Sequence, residues 1–145
     1  MAFAVLLSLG AAQADSVQGG VGGLSEEVRS LLSQEMLQIE QGMHAIFSFM
    51  VRGKYASIGE TATQIQNSFI FKKRLTAAQR KELRETLPPA FIELDRSFHE
   101  TAGDLAAAAE FGDKDSVAEN YVLMARKCVQ CHSTFARHRF TSFEE

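Results

Sequence analysis

Residues 113–135 read DKDSVAENYVLMARKCVQCHSTF, and Val117, Tyr121, Met124, Cys128, Cys131 and Phe135 recur along them in steps of four and three. Those steps place side chains on one stripe of an α-helix. A strand would need alternation with a period of two, which the segment lacks. Asp113 or Asp115 offers a side-chain oxygen to cap the start. A stripe of this spacing needs a facing helix, so the segment predicts a bundle seam.

The preceding sequence supplies the partners. Phe91, Leu94, Phe98, Ala102 and Leu105 mark the inner face of a long helix, opened by Pro88 and Pro89 and closed by Gly112. Before it, Thr76 caps a short charged helix over Ala77–Thr86. A helix from about Tyr55 to Lys72 carries Ile58, Ala62, Ile65 and Phe69 on one face. The first helix starts at the cap Ser25, with Glu26 and Glu27 in its first turn, where acids complement the helix dipole. Its stripe is Leu32, Met36, Ile39, Met43, Ile46 and Met50, and Gly53 ends it. The pattern predicts an all-α fold: an antiparallel four-helix bundle with a short extra helix between helices two and three.

The domain spans residues 25–145, preceded by a flexible Gly-rich leader over residues 15–24. Residues 1–14 read as a signal peptide: Phe3 to Leu7 is a short apolar run, and Ala12-Gln13-Ala14 is a small-x-small cleavage site. No Lys or Arg precedes that run, the one departure from the signal pattern. Export to the periplasm is the expectation. No stretch is long enough for a membrane span. A net charge of −3 argues against a nucleic-acid partner.

The chain's two cysteines both lie in Cys128-Val129-Gln130-Cys131-His132. C-x-x-C-H is the attachment signature of a c-type haem. On a helix the two thiols project together, and the imidazole lies one turn beyond Cys128. One turn can therefore present two thioether donors and a proximal iron ligand, His132, to one covalently bound haem c. A redox dithiol would sit at the start of a helix after a strand, and a zinc site would need more thiolate or imidazole ligands. Tyr121, Met124 and Phe135, on the same stripe, are candidate pocket walls, and the same spacing suits ordinary seam packing.

A C-x-x-C-H on the last helix of a four-helix bundle resembles the class II c-type cytochromes, which comprise cytochrome c-prime and its low-spin relatives. Ser68-Phe69-Ile70, Phe91 to Asp95 and Phe98-His99 resemble a bacterial subgroup of them. The resemblance implies that a first-helix side chain meets the distal side of the iron. A methionine there gives a low-spin electron carrier that serves redox partner proteins. An apolar residue there leaves five-coordinate iron that binds nitric oxide or carbon monoxide.

Met36 best matches the family's position, with Met43 the second choice. Methionines at helical spacing also serve as core filler. His44, His99 and His138 read as structural or surface groups. Arg126, Lys127, Arg137 and Arg139 flank the motif as candidate partners for the haem propionates, and most of them read as solvated charges. No acid–base pair stands along the first-helix seam, which argues against an enzyme. The family's habit of pairing through the first helix implies a possible homodimer.

Overall fold

The computed structural model describes residues 20–68, 74–137 and 139–143. The described chain is all-helical, and its helices pack as a bundle. The helices are α1 (Glu26–Met50), α2 (Tyr55–Gln66), α3 (Ala77–Thr86), α4 (Pro89–Glu110) and α5 (Lys114–Phe135). Single 3-10 turns at Val21–Gly23 and Thr141–Phe143 precede and follow them.

The helix ends follow from local chemistry. Ser25 accepts from the Val28 N–H, and Thr76 and Gln79 form a reciprocal capping box. Of the two candidate caps on α5, Asp113 takes the role, accepting from Asp115 and Ser116. α1 and α4 stop in the same way. Gly53 and Gly112 adopt φ of +63° and +66°, which an L side chain resists. The next N–H, from Lys54 or Asp113, then reaches back to Phe49 or Ala108 and satisfies a terminal carbonyl.

Two sequence expectations change. The helix expected over residues 55–72 ends at Gln66. Ser68 takes φ +55°, outside any helix, and its hydroxyl donates to the buried carboxylate of Glu35 at 2.6 Å. This hydrogen bond to a buried acid on α1 accompanies the end of the helix. Phe69, placed on that helix's stripe, lies outside the described residues. The leader expected over residues 15–24 is packed where it is described. Leu24 is buried beside α1 and α3, and a Cβ on Gly23 would come within 3.0 Å of Thr86. Residues 1–19, including the expected signal, lie outside the described residues.

The core divides into two clusters. One joins Ile39, Met43, Ile46, Ile58, Ile65, Phe98, Leu105 and Met124 with their small neighbours. The other joins Leu24, Val28, Leu32, Leu75, Leu83, Leu87 and Phe91, which fixes α3 against the first half of α1. Met36 packs against both clusters, while Cys128 packs on the first and Cys131 on the second. The C-x-x-C-H turn therefore lies where the two halves of the core meet. α2 and α5 pack closely on α4, whereas α1 meets α5 over far fewer residues.

Candidate functional site

The loosely filled boundary between α1 and α5 holds a cleft of about 50 Å³. Met36 and Ile39 of α1 line it, with Leu94, Asp95 and Phe98 of α4, and Lys127, Cys128, Cys131 and His132 of α5. The helix geometry of the motif thus does what its spacing predicts: both thiols and the imidazole face one space. Met36 faces them from α1. Met43 is buried in the first core cluster and does not line the cleft.

Burial pushes the Cys128 thiol up, and it pushes Cys131 up to about 11, with Asp95 and Cys128 adding to the effect. Both sulfurs therefore stay protonated at neutral pH. A catalytic redox dithiol is activated by a lowered thiol pKa, and burial moves these two thiols the other way. His132 moves the other way: burial and then the Arg139 charge hold it below its usual range, against the pull of Glu40. Its imidazole is neutral at pH 7, as a metal ligand must be. Phe140 lies flat on that ring, with centroids 4.4 Å apart and planes 13° apart. Stacking covers a ring face and leaves the in-plane nitrogens free.

The proposed wall residues separate. Met124 is fully buried in the first cluster, behind Cys128. Phe135 sets its ring edge-on to Phe91 at 5.4 Å, in the second cluster beside Cys131. Tyr121 lies nearer the start of α5, its ring 6.3 Å from that of Phe47. All three flank the thiols on their helix, and none lines the cleft.

Asp95, Leu94, Phe98 and Ile39 are cleft residues that the motif alone did not assign, and Lys127, one of the flanking cations, joins them. Leu94 and Ile39 stood on helical stripes, so their inward direction was legible. Asp95 joins a polar chain: His99 Nε2 lies 3.7 Å from its carboxylate, and His99 Nδ1 donates to the Ile65 carbonyl at 2.6 Å. An acid–base pair thus adjoins the cleft from α4, although none stood on the α1 seam. His44 is exposed, and His138 lies outside the described residues.

Burial pulls the His99 pKa down, but Asp95, the Ile65 carbonyl and Glu35 together raise it above 6.5. Folding then binds the proton more tightly than the unfolded chain does. That stability is complete below pH 6.5 and is lost as pH rises through the raised value. His132, depressed, contributes in the opposite sense. Urea melts of the haem-free chain should therefore show His99→Gln costing most near pH 5.5 and least near pH 9. A penalty independent of pH would remove the Asp95–His99 ion pair from the account.

Two thiols, a neutral imidazole and a thioether around one cleft fit the donor set of a covalently attached haem. The room fits only after opening, since 50 Å³ is the space of one or two waters. α1 meets α5 over fewer residues than it meets α2, so opening at that boundary disturbs fewer contacts. A larger groove of about 790 Å³ lies between α2 and α4, but Gly59, Gly103 and alanines wall it, and neither thiol nor imidazole reaches it. Among the described residues no cluster of three or more His, Cys, Asp or Glu side chains could hold a bare metal ion. No protein-family model, curated protein or solved structure matches this chain.

Proposed function

We propose that the chain is an exported c-type cytochrome with one covalent haem, acting as a periplasmic single-electron carrier rather than an enzyme. The observation that carries this reading is the convergence of Met36 with Cys128, Cys131 and His132 on one cleft. In this reading Cys128 and Cys131 would hold the haem through thioether links, and His132 and Met36 would supply its iron ligands. The haem supplies the one-electron change of its iron. The protein supplies fixed axial ligation, burial and restricted access. Closed ligation on both sides suits electron transfer, because neither oxidation state must gain or lose a ligand. Among the described residues no helix is long and apolar enough to cross a membrane. Docking of redox partners through a small, transient surface accords with this role.

The test is the absorption spectrum of the purified holoprotein, ferric and ferrous, with and without nitric oxide. A low-spin ferric spectrum with a methionine-to-iron charge-transfer band, unmoved by the gas, supports the carrier. Met36→Ala should convert it to high-spin and open it to nitric oxide, whereas Met43→Ala should leave ligation intact. A wild-type spectrum already high-spin and gas-sensitive would replace the carrier with a gas-binding protein of the cytochrome c-prime type.

A further inference from the structure

Lys127 directly precedes the first haem-linking cysteine and reads in sequence as one more solvated charge. In the fold it turns inward. Its ammonium donates to the Ser97 carbonyl at 2.8 Å, the Ser97 hydroxyl at 2.7 Å and the Thr101 hydroxyl at 2.5 Å. An ammonium has three N–H donors, so these three oxygens of α4 saturate it. All three acceptors are neutral, so they fix the position of the charge without cancelling it. Ser97 and Thr101 are one turn apart on α4, which is why a single side chain can meet both. The same lysine lines the cleft beside Cys128 and Cys131, with Asp95 on the facing helix.

We propose that Lys127, pinned by Ser97 and Thr101, is the fixed cation of the haem wall and biases the bound iron toward its ferrous state. The inference rests on the haem reading above. A mobile surface lysine is screened by water and salt and exerts little field. A half-buried ammonium held on one set of oxygens acts through protein, where the effective dielectric is lower. Oxidation adds one positive charge to the iron, so a fixed cation nearby opposes it. Asp95, of opposite sign on the same wall, favours the ferric state, and its pairing with His99 moderates that effect. The clamp also fixes the rotation of α5 and so directs Cys128 and Cys131 into the cleft.

Potentiometric titration of the holoprotein reads the effect. Lys127→Met keeps the stem and removes the charge. It should lower the ferrous-to-ferric ratio at a fixed potential by about threefold to tenfold, and tenfold is about 59 mV for one electron. Lys127→Arg should recover most of that loss. Asp95→Asn should shift the ratio the other way. Thr101→Val keeps the charge but frees the ammonium toward water, so it should show a smaller loss in the direction of Lys127→Met. It also serves as the test if Lys127→Met fails to fold.

Nitrogen-15 NMR of the lysine ammonium in the haem-free chain supplies an independent readout. A slowly exchanging Lys127 signal, lost in Thr101→Val, supports the clamp. A freely exchanging one overturns it. A holoprotein whose potential is the same in the wild type, Lys127→Met and Thr101→Val overturns the tuning role and leaves the haem reading standing. A chain that takes up no haem in cells equipped to attach it overturns both.

Discussion

A chain carrying both Cys128→Ser and Cys131→Ser is expected to hold no haem after denaturation and solvent extraction, whereas the wild type keeps one per chain. Each single variant should keep its haem through one remaining thioether. The expectation follows from what sulfur does and oxygen does not: a serine hydroxyl is too weak a nucleophile to add to a vinyl group. Mass spectrometry of the denatured protein reads the outcome directly.

Folding is not the confounder, because both thiols are half-buried and not part of a disulfide. The thiols pack at the margins of the two core clusters rather than within them, so far-ultraviolet circular dichroism of the haem-free variants should match the wild type. The rival dithiol chemistry is separated by alkylation. A Cys131 pKa moved from 9.0 to about 11 leaves its reactive thiolate about a hundredfold scarcer at neutral pH. Slow alkylation of the haem-free chain therefore argues against the dithiol class, and fast alkylation favours it. Covalent haem on the double variant would overturn the attachment role of the motif.

The stripes of α1, α4 and α5 were legible because each buried face repeats at helical spacing and each end carries its own chemical stop. Gly53, Gly112, Thr76 and the Pro88–Pro89 pair mark boundaries that the fold keeps. The inward direction of Cys128, Cys131 and Met36 followed from the same spacing. What escaped the sequence depends on contacts between helices. Ser68 leaves the helical conformation because of Glu35, a residue on another helix. Lys127 turns inward because two hydroxyl-bearing residues of α4 happen to face it. Phe140 covers His132 because the chain folds back after α5. No local pattern encodes any of these three. The choice between Met36 and Met43 was open for a related reason. Both stand on one stripe, and only the position of α5 along α1 separates a cleft residue from a core residue.

The bundle itself should depend most on the first core cluster. Ile46→Ala is expected to lower the stability of the haem-free chain by about 2–5 kcal/mol. Ile46 is fully buried among Met43, Ile58, Ile65, Leu105 and their neighbours. Truncation removes its transfer free energy and leaves a cavity that rigid helices fill poorly. Close approach between the helices limits any collapse around it. A Cβ at Gly42 would meet Ile65 at 3.1 Å, and one at Gly103 would collide with the Gln66 amide, so α1 and α4 already lie tight on α2.

Domains are stable by about 5–15 kcal/mol, so the upper part of the range would remove between about a third and all of the stability of the haem-free chain. Ile46→Val, which deletes one methyl, should cost about 0.5–1.5 kcal/mol and serves as the graded control. Urea denaturation followed by circular dichroism measures both. Ile46 does not line the cleft, so its truncation should leave the axial ligands and the spectrum of the holoprotein unchanged while its midpoint falls. A small penalty, below that of Ile46→Val, would mean that the α1–α2–α4 contact is not the core of the fold.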